Sequence, residues 1–279
     1  MQRISLAEDS PPLPIIPEEI ARLIGTRASA GVLLAEGDSW FDYPKGDVLD
    51  LLENEYGYDV ESVAHWGDIV EDMAYSKMHF DKFAKRLEKL LGANRVPRAI
   101  LLSGGGNDVA GDEFRQLINA EASTLAPINE DIVRGLIDIR LRDAYVTMIA
   151  TLTKIAERYI GRPIPIVLHG YDYPVPDGRG FLSGVGKLPG PWLQPGFHHK
   201  GYGDLTTNKG MMRELIDRFN TMLGSVSSLS GFTHVRHLDL RGTLRTGPKH
   251  EEDWDNELHP TADGFERVAA KFAKLIASL

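Results

Sequence analysis

Short apolar runs alternate with longer stretches of helical periodicity along most of the chain. Residues 32–36 read Val-Leu-Leu-Ala-Glu and end at a Gly-Asp-Ser turn, which is typical of a buried strand. Four further strands are predicted at 58–64, 99–103, 164–169 and 233–240. The helical patterns between and after them cover 46–56, 69–78, 80–91, 112–122, 129–159, 208–223 and 261–279, with a possible break at Gly135 and a capping residue at Thr261.

Strands that alternate with helices favour parallel pairing through right-handed crossovers. We therefore predict one α/β domain over residues 31–279, with three α/β/α layers and about five parallel strands. Residues 1–30 are predicted to be an N-terminal arm, because prolines cluster before residue 18 and only 18–24 could form a short helix. A loop-rich insertion at 171–207 is expected to lie on top of the domain.

The insertion has little periodicity and is rich in Gly, Pro and aromatic residues. Loops of this length inside a domain are often lids or binding loops. Its aromatic residues either shape a substrate pocket or hold the insertion onto the domain, and the sequence supports both interpretations. They are Tyr171, Tyr173, Phe181, Trp192, Phe197 and Tyr202.

Composition excludes several classes of function. The 279 residues contain 31 Lys and Arg against 40 Asp and Glu, and the net charge of −9 argues against binding nucleic acid through its phosphates. The absence of cysteine excludes disulfides, a thiol nucleophile and thiolate-bound metals. No apolar stretch approaches the ~20 residues that span a bilayer. Because no signal-peptide pattern begins the chain, we expect a cytoplasmic protein.

Polar residues and glycines follow three of the predicted strands. Ser39 comes just after the first strand, Gly67 after the second and Asn107 after the third. The carboxyl ends of parallel strands lie at one edge of a sheet, where open α/β folds bind ligands. His259 precedes the last helix and completes a set of hydroxyl, backbone N–H, amide and imidazole groups.

These residues resemble the conserved blocks of the SGNH branch of the GDSL hydrolases, a family of esterases and lipases. Gly-Asp-Ser at 37–39 is similar to the nucleophile block, with Trp40 where the family usually has Leu. The glycine of the second block corresponds to Gly67, Gly-Gly-Asn-Asp at 105–108 to the third, and Leu-His-Pro at 258–260 to the last. The resemblance runs from about residue 36 to 264 and implies a flavodoxin-like α/β/α fold.

The resemblance also implies a role for each of these residues. Ser39 would attack an ester carbonyl, with His259 taking the proton of its hydroxyl and later passing it to the leaving alkoxide. The oxyanion would be held by the backbone N–H groups of Ser39 and Gly67 and by the side-chain amide of Asn107. The expected substrate-binding side chains are Trp40, Trp66, Tyr171 and Trp192.

One position departs from the family. Its members have an Asp three residues before the histidine, where this chain has Asn256. An amide can accept a hydrogen bond from the imidazole but carries no charge, and this replacement costs about 10⁴ in turnover in a Ser-His-Asp protease. We expect Asn256 or a backbone carbonyl to orient His259, and three acids remain as alternatives. They are Asp253, Asp255 and Asp172.

The sequence therefore predicts a serine hydrolase that cleaves small-molecule carboxylic esters without a cofactor. No metal is expected, because His198 and His199 lack the spacing of a helical zinc site and no carboxylates cluster around them. A carbohydrate O-acetylesterase that uses the same residues is one alternative. A binding module with a degenerate site is another, and the sequence carries no signal of oligomeric state.

Overall fold

A five-stranded parallel sheet in the order β2-β1-β3-β4-β5 forms the centre of the protein in the computed structural model. Its strands are Val32–Glu36 (β1), Asp59–Ser62 (β2), Ala99–Leu102 (β3), Ile166–Gly170 (β4) and Val235–Asp239 (β5). The structure describes residues 29–181 and 190–279. Nearly all of the predicted arm, including the helix expected at 18–24, therefore lies outside the described residues, as does part of the insertion.

The helices lie on both faces of the sheet. They are Val48–Asn54 (α1), Val70–Tyr75 (α2), Lys77–Gly92 (α3), Phe114–Leu117 (α4), Glu130–Val133 (α5), Arg142–Ile160 (α6), Gln194–His199 (α7), Leu205–Ser227 (α8) and Ala262–Ala277 (α9). Helices α1 and α9 pack together, and α3, α6 and α8 pack side by side in the other layer. This arrangement confirms the predicted three-layer α/β/α class with a parallel sheet.

Apolar composition explains why β1 and β3 lie in the middle of the sheet. All four residues of β3 are buried, and so are four of the five in β1, because both faces of these strands are covered by helices. Edge strand β2 is only partly buried. The last helix begins where the sequence predicts, since the Thr261 hydroxyl accepts a hydrogen bond from Gly264 N–H.

Three predicted elements differ from the structure. The helix expected at 112–122 is limited to α4, because Ile118 leaves it to form an antiparallel bridge with Ile128. Gly135 does not break the long helix, since the chain runs from α5 through a π-helix, Arg134–Leu141, into α6. The 171–207 segment is also more regular than expected, because it contains α7 and the start of α8.

The topology brings two of the predicted site segments together. Strand order reverses between β1 and β3, and doubly wound sheets bind ligands at this point. Gly37 allows the turn after β1 to pass against β3, because a Cβ at Gly37 would lie 2.6 Å from the Cβ of Ser103. Within the described residues, no helix is both long and apolar enough to cross a membrane.

Candidate active site

Ser39 and His259 meet at the carboxyl edge of the sheet although 220 residues separate them in sequence. The Ser39 Oγ lies 2.7 Å from His259 Nε2. His259 is 7% exposed, so its ring is shielded from solvent except at the side facing Ser39 and the pockets. This distance suits transfer of the hydroxyl proton to the imidazole.

The second ring nitrogen of His259 faces Asn256. Its Nδ1 lies 2.9 Å from Asn256 Oδ1, which also accepts hydrogen bonds from the backbone N–H groups of Leu258 and His259, both at 3.0 Å. Two backbone donors require that this atom be the amide oxygen and not the NH₂ group. Nδ1 therefore carries the proton, and Nε2 is free to accept one from Ser39.

Two of the alternative acids form their interactions away from His259. The Asp172 carboxylate accepts hydrogen bonds from backbone N–H groups, among them Gly242 at 2.8 Å. Asp253 is fully buried and forms an ion pair with Arg267 at 2.6 Å. Neither carboxylate contacts the ring of His259, so the structure does not bring them into the site.

The third acid, Asp255, lies behind Asn256 and not against the imidazole. It forms an ion pair with Lys45 at 2.8 Å and accepts a hydrogen bond from the Tyr43 hydroxyl, also at 2.8 Å. The Tyr43 ring stacks on His259, with ring centroids 4.5 Å apart and an interplanar angle of 16°. The phenol thus contacts both the histidine and the acid.

Burial lowers the pKa of His259 from 6.5 to about 4, because the imidazolium would lose its hydration. The negative charge of Asp255 acts in the opposite direction and the positive charge of Lys45 in the same direction. His259 is therefore neutral at pH 7, as a general base must be before it accepts a proton.

Three N–H groups are available for an oxyanion beside Ser39. The backbone N–H groups of Ser39 and Gly67 have no acceptor among the described residues. Gly67 adopts φ +87°, a conformation that other residues rarely reach, and no atom lies within 4 Å of where its Cβ would be. The Asn107 side-chain N–H₂ donates one hydrogen bond to the Asp68 carbonyl at 3.0 Å, which orients it and leaves its second N–H free.

A buried carboxylate supports the turn that carries Ser39. Asp38 accepts hydrogen bonds from Trp40 N–H at 3.0 Å, from the Ser103 hydroxyl at 2.8 Å and from the Tyr171 hydroxyl. The Tyr171 oxygen in turn accepts from Gly106 N–H at 3.2 Å. Burial raises the pKa of Asp38, and these donors counter that effect. Asp38 therefore ties the turn that carries Ser39 to the loop that carries Asn107.

Two pockets open from Ser39, Asn107 and His259. We call the first the inner pocket. It runs into the helical layer between α4, the π-helix and α8, where buried apolar side chains line it. They include Phe114, Leu117, Ile137, Met212, Leu215 and Phe219. Such a lining accepts an apolar group and offers it no hydrogen-bond partner.

The second pocket, which we call the outer cleft, faces solvent. It is lined by Gly67, Tyr43, Trp66, Phe181 and Trp192 together with the three polar residues that it shares with the inner pocket. Trp66 is 57% exposed at its rim. The outer cleft is therefore aromatic and open to solvent at its rim.

The four predicted substrate-binding side chains lie in different surroundings. Trp66 and Trp192 line the outer cleft, and Tyr171 lines the inner pocket. Trp40 also borders the inner pocket, but it is 3% exposed and its indole N–H donates to the Leu258 carbonyl at 3.0 Å. Trp40 therefore packs mainly as a core residue.

Some aromatic residues of the insertion line a pocket, and others hold the insertion onto the domain. Phe181 and Trp192 border the outer cleft. Tyr173 instead lies under the Arg213 guanidinium at 3.9 Å, and Phe197 packs edge-on against Phe114 with centroids 4.8 Å apart. Part of the insertion thus shapes a pocket, and part holds it onto the domain.

Sequence reasoning missed Glu257, which joins the insertion to the loop of His259. Its fully buried carboxylate accepts four backbone hydrogen bonds, from Trp192 and Leu193 at 2.7 Å and from Gly178 and Gln194 at 3.0 Å. Tyr43 was missed as well. The only available signal was that each lies within a few residues of a predicted catalytic group.

Comparisons with known proteins identify the fold. No family model and no curated protein matches the sequence. A solved structure of a protein assigned to the SGNH hydrolases, from Slackia heliotrinireducens, superposes with a TM-score of 0.50 at 15% identity, over 88% of this chain and 98% of that one. Together with the parallel sheet, this likeness shows that the chain has the SGNH-hydrolase fold, as the resemblance of its motifs implies.

Two other similar structures are carbohydrate esterases. A catalytic mutant of Axe2, an acetylxylan esterase from Geobacillus stearothermophilus, has a TM-score of 0.47 at 17% identity, over 90% of this chain and 95% of that one. A family 3 carbohydrate esterase from Clostridium thermocellum has a TM-score of 0.46 at 13% identity, over 88% and 97%.

Proposed function

We propose that the protein is a serine esterase that hydrolyses carboxylic esters through an acyl-enzyme on Ser39. The observation that carries this proposal is the 2.7 Å contact between Ser39 Oγ and a His259 ring whose other nitrogen is held by Asn256. A serine beside an oriented, neutral imidazole is the arrangement that nucleophilic catalysis requires.

The reaction follows from the positions of these groups. His259 Nε2 takes the hydroxyl proton as Ser39 Oγ attacks the ester carbonyl carbon, and the carbonyl oxygen becomes an oxyanion. His259 then gives that proton to the alkoxide, which leaves as the alcohol. Water attacks the acyl-enzyme by the same steps, with His259 again as base and then as acid, and releases the carboxylic acid and free Ser39.

The oxyanion would be stabilised by Ser39 N–H, Gly67 N–H and the free N–H of Asn107. These donors are fixed by the backbone and by the hydrogen bond from Asn107 to Asp68, so they need little reorganisation during the reaction. Loss of one such donor typically costs ~2.7–4 kcal/mol of barrier.

The two pockets suggest which part of the ester each holds. Water must reach Ser39 after the alcohol has left, and the outer cleft is the open side. The acyl group would therefore occupy the inner pocket and the alcohol the outer cleft. The lining of the inner pocket favours an apolar acyl chain longer than acetyl, because acetyl would leave most of that apolar surface uncovered.

Labelling with a fluorophosphonate tests this proposal directly. We expect one adduct, located on Ser39 by peptide mass spectrometry, and complete loss of both labelling and esterase activity in Ser39→Ala. The variant should keep its unfolding temperature, because it removes only a hydroxyl. Folded wild-type protein that forms no adduct would refute the assignment of Ser39 as nucleophile.

A carbohydrate O-acetylesterase is the second candidate, and the exposed indole of Trp66 favours it. An aromatic face at the rim of the outer cleft suits a sugar ring held as the alcohol part of the ester. Rates on p-nitrophenyl esters from acetyl to decanoyl, measured beside acetylated xylo-oligosaccharides, separate the two candidates. If the inner pocket holds an apolar acyl chain, the hydrolysis rate should be highest on an ester whose acyl chain is longer than acetyl. A deacetylase would act best on the acetylated sugars.

A further inference from the structure

Asn256 poses two difficulties for a serine hydrolase. An amide can turn its NH₂ group toward Nδ1 of the histidine, which selects the wrong tautomer, and it has no charge to stabilise the imidazolium. The backbone N–H groups of Leu258 and His259 remove the first difficulty, because both point at the atom that faces Nδ1 and require it to be oxygen. The second difficulty remains at Asn256 itself.

A chain of hydrogen bonds leads from Asn256 to a carboxylate. The Asn256 Nδ2–H₂ group donates to the Tyr43 hydroxyl oxygen at 3.0 Å, and that hydroxyl donates to Asp255 Oδ2 at 2.8 Å. On the other side, Asn256 Oδ1 accepts from His259 Nδ1–H at 2.9 Å. Each donor points in the same sense, from the imidazole toward the acid.

We propose that Tyr43 and Asp255 are positioning residues for His259, with the Asp255 carboxylate acting through the tyrosine hydroxyl and the Asn256 amide. This inference rests on the proposed function of Ser39 and His259. No proton moves beyond Nδ1, since an amide cannot pass one on. The carboxylate polarises the chain, because successive hydrogen bonds strengthen one another, and this makes Asn256 Oδ1 a better acceptor when the imidazolium forms.

Lys45 modulates the effect of the acid. Its ammonium group contacts both oxygens of Asp255, at 2.9 and 2.8 Å, and it is the other charged group that acts on His259. The ion pair is partly exposed, so Lys45 offsets part of the negative charge and leaves the rest for the hydrogen-bond chain. Removing Asp255 and removing Lys45 should therefore change catalysis in opposite directions.

The matched variants Asp255→Asn and Lys45→Gln test this prediction. Asp255→Asn keeps an oxygen for the Tyr43 hydroxyl but removes the charge, and we expect kcat to fall about tenfold with little change in KM. Lys45→Gln should raise kcat, because the Asp255 carboxylate loses its ion-pair partner and more of its charge acts on the hydrogen-bond chain. An ion pair with only a structural role would make both variants lose activity together, and that result would overturn the proposal.

A second test measures the effect of Asp255→Asn in the Asn256→Asp variant. In Asn256→Asp a carboxylate contacts His259 directly, so adding Asp255→Asn should no longer lower kcat. An equal loss in both backgrounds would contradict the proposal. Tyr43→Phe provides another variant if Asp255→Asn fails to fold. It keeps the ring on His259 and should lower kcat by less than about tenfold, because Asn256 Nδ2 also lies 3.4 Å from Asp255 Oδ2 and can donate to it directly.

NMR of ¹⁵N-labelled His259 separates this inference from the proposed function, because it needs no substrate. The imidazole pKa should fall in Asp255→Asn and rise in Lys45→Gln. A protein with both shifts but no esterase activity would refute the function and leave the hydrogen-bond chain in place. An active esterase in which neither variant shifts the pKa would refute the chain.

Discussion

His259 differs from a free histidine in the pH at which it gains a proton. Burial lowers its pKa to about 4, so the neutral base persists well below the ordinary value of 6.5. We predict that kcat/KM reaches half of its plateau near pH 4 and is lost as the pH falls further, since the protonated ring cannot accept the Ser39 proton. Initial rates from acid to neutral pH, with tryptophan fluorescence as a control for folding, provide the measurement. Half-maximal activity near 6.5 in folded protein would be inconsistent with a buried His259.

Glu36 is a second buried group with a displaced pKa, at the end of β1. Burial raises its pKa from 4.5 to about 8, and the charge of Asp68 adds to this effect. The pKa of Glu36 is higher in the folded protein than in the unfolded chain. Its contribution to stability is therefore complete below about pH 4.5 and is lost as the pH rises toward 8. The acid form is therefore the one that the fold accommodates.

We predict that Glu36→Gln makes stability less dependent on pH. Glutamine retains an oxygen for the hydrogen bond from Gly37 N–H but cannot ionise. The variant should be more stable than the wild type by on the order of 3 kcal/mol at pH 7, from 1.36 kcal/mol per pKa unit, and nearly equal to it near pH 4.5. Urea unfolding at both pH values, with the exposed Glu266→Gln as control, would test this. A difference that does not change with pH would contradict the raised pKa.

At the scale of elements, the insertion and the His259 loop behave as one unit because of Glu257. Each of its oxygens accepts two backbone N–H groups of the insertion. Trp192, which belongs to this segment, packs edge-on against His259 with centroids 5.5 Å apart. Glu257 thus fixes one wall of the outer cleft relative to the histidine.

We predict that Glu257→Gln is strongly destabilising although it changes one atom. Its NH₂ group would face two backbone donors in place of an acceptor, and each lost charged hydrogen bond costs about 1.5–3 kcal/mol. We expect a lower unfolding midpoint in urea, and lower esterase activity because Trp192 is no longer held. Glu266→Gln serves again as the matched control, and equal stability of the two variants would show that Glu257 does not hold the insertion.

At the scale of the whole molecule, the inner pocket exists because separate parts of the chain converge on Ser39. The loop after β3, α4, the π-helix and α8 each contribute a wall. Ala110 lines this pocket and is 7% exposed. The chain length that the pocket accepts is therefore set by packing between elements that are distant in sequence.

We predict that Ala110→Leu shifts the acyl preference toward shorter chains. The added carbons would occupy part of the inner pocket, so kcat/KM should fall about tenfold or more for long acyl esters and little for acetyl esters. The same substitution at the exposed Ala270 on α9 is the control. If Ala110→Leu lowered activity equally for all acyl lengths, the inner pocket would not hold the acyl chain.

Local pattern was enough to predict the five strands in their order along the chain and the α/β/α class. Apolar runs such as Val32–Glu36 and the cap at Thr261 depend on neighbours in sequence, so they are visible without a structure. The π-helix that includes Gly135 depends on packing. The early end of α4 depends on the Ile118–Ile128 bridge. Neither feature can be predicted from local pattern.

The order of the motifs along the chain is enough to predict which groups gather at the edge of the sheet, because parallel strands place Ser39, Gly67 and Asn107 there and the last loop brings His259. The group that contacts the second ring nitrogen of that histidine is visible only in the folded chain. Asn256 was one of several choices until two backbone N–H groups showed where its oxygen points. Tyr43 lies 213 residues from Asn256, so the branch of the hydrogen-bond chain that passes through the tyrosine hydroxyl depends on a contact that exists only in the folded chain.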